Sequence, residues 1–176
     1  MQMKCFVVCL AFSVGAPAAE PSRVWDFESE TVSWKPRMAT VTAERVAGLG
    51  AVAGSQAYLH IHGRMPDNWN YASSDSVPMQ ADRLYRLSAW VRVTSADART
   101  PMPFLKCEFV GADRNRALGR AITDAYDAAR LGQWQHLTGE FRAPAGTVSC
   151  WIALEKGTSD PTRIDAYLDD VTLAPI

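Results

Sequence analysis

Ten consecutive residues, Leu84-Tyr85-Arg86-Leu87-Ser88-Ala89-Trp90-Val91-Arg92-Val93, alternate between two kinds of side chain. Tyr85, Leu87, Ala89, Val91 and Val93 form one apolar face, while Arg86, Ser88, Trp90 and Arg92 form the other. A period of two over this length is the pattern of a half-buried strand, because successive side chains of a strand leave on opposite sides of the sheet. A strand this long and regular belongs in the middle of a sheet and needs partners on both sides. Its outward face sets Trp90 between two arginines, a combination that suits a flat ligand such as a sugar ring or a solvated face with one packed aromatic.

The same alternation recurs in Val24–Glu28, Met38–Arg45, Ala57–Arg64, Phe104–Val110, Gln135–Arg142, Val148–Glu155 and Ala166–Leu173. Short strands punctuated by Gly, Pro and Asp clusters predict an all-β sandwich or jelly roll. Only Asp124–Leu131 leans toward helix. With no internal repeat, linker or low-complexity tract, a single domain is expected.

At the N-terminus, Lys4 is the only charge before an apolar run from Cys5 to Val14, and Ala16-Pro17-Ala18 follows. This reads as a secretory signal peptide over residues 1–18, cut near Ala18, too short to span a bilayer. Val7-Val8 precede Cys9 where a lipoprotein signal needs a small residue, so export without an anchor is expected, to the periplasm or the medium. Residues 19–176 then form the domain. Without Lys4 the chain keeps 17 basic against 19 acidic residues, which excludes a strongly basic nucleic-acid binder, and no polybasic patch marks a membrane surface. Cys107 and Cys150 remain, both at apolar positions of their strands. A bridge between strands and two buried thiols both satisfy that pattern, and an oxidising compartment favours the bridge.

In Ala57–Arg64 the inward residues are Ala57, Leu59 and Ile61, leaving Tyr58, His60, His62 and Arg64 outside. His60-x-His62 is a spacing two metal ligands can use, but a site needs a third, and His136 is the only other histidine. Two exposed or hydrogen-bonded imidazoles are the plainer expectation. The following loop, Met65-Pro66-Asp67-Asn68-Trp69-Asn70-Tyr71, sets Trp69 and Tyr71 among polar residues, where aromatics serve either as stacking platforms or as a plug at the end of the sandwich.

Taken together, several motifs resemble the carbohydrate-binding modules of the cellulose- and xylan-binding jelly-roll group, families 4, 9 and 22, with family 22 nearest. They are His62-Gly63-Arg64, Trp69-Asn70, Tyr85 to Arg92, Gln133-Trp134 to Phe141, the close Tyr167-Leu168-Asp169-Asp170-Val171, and the opening Asp26-Phe27-Glu28. The resemblance spans about residues 24–173 and implies a galactose-binding-domain-like sandwich with a xylan or β-glucan type polysaccharide as partner. It implies that Arg64 and Trp69 contact and stack on sugar, with Asn70 beside them, that Glu155 is a hydrogen-bonding carboxylate in a cleft, and that Tyr126 is a cleft tyrosine. Trp151 shares parity with Glu155, and Trp90 is the other outward aromatic. Tyr71 stands where the family has Gly, adding bulk that narrows the cleft or supplies another platform. The resemblance also implies a structural calcium held by Glu28 and Asp169; a salt bridge or hydrogen bonds are the alternative for Asp169, whose parity points it inward.

Two other readings compete. A small hydrolase or lyase needs two carboxylates across a cleft, and Glu108 and Glu155 could both face one sheet surface with Lys106 nearby, although no hydrolase or metalloprotease motif is present. An adhesive or assembly protein would instead use Trp90 and Trp151 as one aromatic face for a protein partner. A monomeric, non-catalytic sugar-binding module is the leading expectation.

Overall fold

A computed structural model describes residues 22–29, 33–97, 101–113 and 117–176. The signal peptide read over residues 1–18 lies outside the described residues.

Among the described residues, twelve strands follow one another. They are β1 (Arg23–Trp25), β2 (Trp34–Pro36), β3 (Val41–Ala47), β4 (Ala57–Met65), β5 (Asn70–Ser74) and β6 (Val77–Pro78). β7 (Leu84–Ala96), β8 (Phe104–Gly111), β9 (Ala117–Ile122), β10 (Gln135–Arg142), β11 (Thr147–Glu155) and β12 (Thr162–Pro175) complete the series. One sheet runs β10-β7-β12-β4-β3, with β1 also on β12; the other runs β2-β5-β11-β8-β9, with β6 also on β11. Every pairing is antiparallel. The two sheets face one another as a jelly-roll sandwich, and the all-β reading holds.

The core lies between the sheets. Leu59, Ile61, Leu87, Val91 and Leu168 of the first sheet and Leu105, Ile152 and Leu154 of the second are wholly buried in one cluster. Each such side chain contributes about 1.5–3 kcal/mol by leaving water. β7 behaves as its alternation requires: Tyr85, Leu87, Ala89, Val91 and Val93 are all buried, and it sits between β10 and β12.

Where the two layers meet at the β9–β10 side, the backbones come very close. A Cβ on Gly139 would stand 2.5 Å from the Ile122 carbonyl oxygen and 3.0 Å from Thr123 Cα. The Asp124 N–H donates to the Thr138 carbonyl at 3.1 Å across the same contact. Only a residue without a side chain fits there.

Four short strands escape the alternation pattern: β2, β5, β6 and β9. β5 reads Asn-Tyr-Ala-Ser-Ser and is buried on both faces, so its polarity hides a central strand. Residues 124–131 give only a single 3-10 turn, Ala128–Arg130, whose Asp127 cap accepts from the Ala129 N–H. Val148, expected inward, is exposed at 47%, because the β11–β8 register slips between Thr147 and Ser149.

Cys107 and Cys150 are both buried free thiols rather than the favoured bridge. Cys107 lies opposite Ile152, and Cys150 opposite Phe109. The two cysteines are therefore diagonal neighbours on adjacent strands. The Cys107 S–H donates to Cys150, and that hydrogen bond together with burial pushes its pKa well above the usual value.

Candidate functional site

The outer face of the second sheet carries an unusual amount of buried charge. On β11, Trp151, Ala153 and Glu155 share this face. Their opposite numbers on β8 are Glu108, Lys106 and Phe104, and Arg120 of β9 lies opposite Glu108. On the other flank, β5 places Ser73 opposite Ala153 and, past a one-residue slip, Asn70 opposite Glu155. Glu155 is wholly buried. Arg120 Nη1 lies 3.0 Å from its Oε1, and Lys106 Nζ lies 3.2 Å from its Oε2. The same ammonium is 3.2 Å from Glu108 Oε2 and 4.8 Å from the centre of the Trp151 ring. Arg37, just after β2, donates from Nη1 to Ser73 Oγ at 3.3 Å and sets its guanidinium 5.4 Å from that ring centre.

Among the described residues of this face, the buried Asn70 Oδ1 has no hydrogen-bond partner, and Glu155 Oε2 has only its ion pair with Lys106. Buried polar atoms are nearly always satisfied, which singles out Asn70 Oδ1 as an acceptor without a donor. Trp69, the residue before Asn70, is 45% exposed. Its carbonyl accepts from the Lys156 N–H at 2.9 Å, which ties the loop to the residue after Glu155. Lys156 itself is buried and donates from Nζ to the carbonyls of Met65 at 3.2 Å and Asp160 at 2.7 Å. Burial draws its pKa below the usual lysine value. Past Trp151 the face opens into a groove of about 640 Å³ lined by Val77, Pro78, Val110, Val148 and Ser149. From Ser149 to Glu155 this stretch of β11 runs roughly 20 Å.

The structure brings Trp69, Asn70, Trp151 and Glu155 together but not the other sequence candidates. Arg64 is exposed on β4, opposite Arg163 of β12, in the sheet on the far side of the sandwich. Arg37 supplies the guanidinium of the cleft in its place. Tyr126 is 2% exposed, and its hydroxyl donates to the carbonyls of Arg130 at 2.7 Å and Gln133 at 2.9 Å; it pins the turn before β10 and offers a sugar nothing. Tyr71 is buried against Thr162 Oγ1 at 2.7 Å, so it is not a second exposed platform. Trp90 packs on His136, ring centres 5.0 Å apart, on the outside of the first sheet. Trp90 and Trp151 thus lie on opposite sides of the molecule and make no common face. Lys106 stands between Glu108 and Glu155, filling the space in which a hydrolase would place the bond to be cut.

Arg37, Lys106, Arg120 and Ser73 complete the cleft. Arg37 follows the three-residue β2, and Arg120 follows Gly119 within the six-residue β9, segments too short to read by alternation. Only the two-layer assembly shows that they converge.

A second constellation lies at one end of the sandwich. Asp26, Glu28, Ser55, Asp169 and Asp170 line a small pocket of about 190 Å³. Glu28 Oε1 accepts from the N–H groups of Gln56 at 2.9 Å and Ala57 at 3.3 Å, and Asp169 Oδ2 from that of Ala51 at 2.8 Å. The β12–β7 register slips between Asp169 and Thr172, with Asp170 at φ 52. This bulge turns two successive carboxylates toward one pocket. Burial and the nearby carboxylates of Asp169 and Asp26 push the Asp170 pKa up.

A carbohydrate-binding domain model, CBM_4_9, matches residues 24–162. The chain belongs to that family. A search of curated protein sequences finds no match. Among solved structures, the module is similar to the CBM22-1 xylan-binding domain of Paenibacillus barcinonensis Xyn10C, at 17% identity and a TM-score of 0.68, covering 92% of this chain and 98% of that one. It is also similar to the C-terminal family 22 module of Clostridium thermocellum Xyn10B, with 20% identity, a TM-score of 0.59 and coverage of 87% and 91%. A third likeness is to the CBM22-1–GH10 portion of that xylanase complexed with xylohexaose, with 15% identity and a TM-score of 0.62. There the match covers 81% of this chain but only 26% of the other. At these identities the likeness establishes the fold. The family groups the module with binding domains rather than catalysts.

Proposed function

We propose that this carbohydrate-binding module is exported and grips a xylan or β-glucan type polysaccharide along the outer face of the second sheet. The observation that carries the reading is the buried, unpartnered Asn70 Oδ1, directly opposite Glu155 and next in chain to the half-exposed Trp69. A sugar hydroxyl supplies that acceptor with a donor, and the apolar C–H face of a pyranose stacks on the indole. Arg37, Arg120 and Lys106 hold the carboxylate and the Trp151 ring in position. The similarity to domains named as xylan-binding supports the polysaccharide class, and the Lys4 to Ala18 pattern supports export.

The donor set of the end pocket fits a calcium ion. Asp26, Glu28, Asp169 and Asp170 are hard oxygen donors converging from two separate segments, the kind of site that Ca²⁺ occupies with six to eight oxygens. Glu28 and Asp169 would hold it, and it would lock the first strand against the last.

Native affinity electrophoresis through gels containing xylan, β-glucan or mannan tests the cleft. Retardation by xylan or β-glucan is expected, with at least a tenfold loss of affinity for Trp69→Ala, equivalent to about 1.4 kcal/mol. A Trp69→Ala variant retarded as strongly as the parent would remove the cleft from consideration.

A further inference from the structure

On the outer face of the first sheet, away from the cleft, three metal-ligating side chains meet. Glu44 of β3 lies directly opposite His60 of β4, and His62 follows on the same face. Glu44 Oε1 is 3.4 Å from His62 Nε2 and 3.9 Å from His60 Nδ1, and the three ligand atoms all lie within 4.8 Å of one another. Tetrahedral zinc with bonds of about 2.0–2.1 Å to nitrogen or oxygen needs ligands about 3.3–3.4 Å apart. One edge already has that length, and the others close by small side-chain movements.

An independent feature concerns the ring of His60. Its Nε2 lies 2.9 Å from Asp165 Oδ1 of β12, and the ring stacks on Tyr167 with centres 4.5 Å apart and planes within 4°. A carboxylate on Nε2 takes that N–H, which leaves the Nδ1 lone pair facing Glu44 and His62. A carboxylate behind a histidine, fixing tautomer and ring orientation, is the usual outer partner of a metal ligand. Two nitrogens and one carboxylate suit a late first-row divalent cation and not calcium, which prefers oxygen alone.

We infer that Glu44, His60 and His62 form a site for a divalent transition metal, zinc or copper(II), oriented by Asp165 and with one position open to solvent. Bound there, the ion clamps the edge strand β3 to β4.

The test is a zinc titration of the untagged mature protein in calcium-replete buffer, read by competition with a chromophoric chelator and by the thermal midpoint. One zinc per chain and a raised midpoint are expected. Affinity should fall at least tenfold for His62→Gln and for Glu44→Gln, and about ten- to a hundredfold for Asp165→Asn. His136→Gln should bind zinc as the parent does. Glu44 is exposed on its strand, so Glu44→Gln remains folded even if a histidine variant does not. No saturable binding, unaltered binding by both His62→Gln and Glu44→Gln, or binding lost with His136 would each overturn the assignment.

Discussion

Trp69 and Glu155 close the same end of the cleft but are held in opposite ways. The indole is nearly half exposed, so Trp69→Ala removes a stacking surface while stability stays within about 0.5 kcal/mol. Glu155 is buried between Lys106 and Arg120. Its replacement by Ala leaves the Lys106 ammonium, itself buried, with Glu108 alone, and should cost about 3–5 kcal/mol. Urea unfolding of the two variants separates these cases, and it shows why Trp69 is the cleaner probe of binding. Tyr126 makes the converse point. Removing its hydroxyl takes the side-chain donor from the Gln133 carbonyl, while that of Arg130 keeps the Gln133 N–H and Gln135 Nε2, so Tyr126→Phe should lower stability by about 1 kcal/mol yet leave polysaccharide retardation unchanged. A loss of retardation with an intact thermal midpoint would restore Tyr126 to the cleft.

At the scale of elements, the strands that alternate were legible and the ones that form the cleft wall were not. β7, β4 and β10 bury one face against the partner sheet and show the other to solvent, so their sequences carry period two. β5 is buried on both sides by small polar residues, and β2 and β9 are short and broken by Pro36 and Gly119. No local pattern marks them, and with them Arg37, Ser73 and Arg120 were missed. Asn70, Trp151 and Glu155 do share the face that motif order and parity gave them, because both are local properties. Arg64 lies on the other sheet, because parity gives a face but not a sheet. The junction at Gly139 yields a sharp test of the two-layer packing. Gly139→Ala forces its Cβ into the Ile122 carbonyl, and a destabilisation of about 1–3 kcal/mol is expected from overpacking. An alanine variant as stable as the parent by urea denaturation would mean that the layers are not in contact there.

The whole molecule is closed by its ends. Asp26 and Glu28 come from the first described segment, and Asp169 and Asp170 from the last strand. The calcium proposed to be shared between them would make global stability depend on the free ion. At a hundredfold excess over its dissociation constant, such an ion contributes about 2.7 kcal/mol, so EGTA should lower the thermal midpoint by about 5–10 °C for a domain of this size. Asp169→Asn should abolish that response; a midpoint indifferent to EGTA in the parent would show that the carboxylates are held by hydrogen bonds alone.

Beneath this face lies a packed layer. Ala153 and Ser73, directly opposite one another on β11 and β5, are small residues and both are buried. The room above them is taken by charged side chains: Arg37 reaches Ser73 Oγ, and Lys106 and Arg120 reach Glu155. A leucine in place of Ala153 would crowd that layer and should cost about 1–3 kcal/mol by overpacking. The surface chemistry of the face therefore resides in its long cationic side chains, and substitutions at the exposed Arg37 or Arg120 could retune what it meets without disturbing the strands beneath.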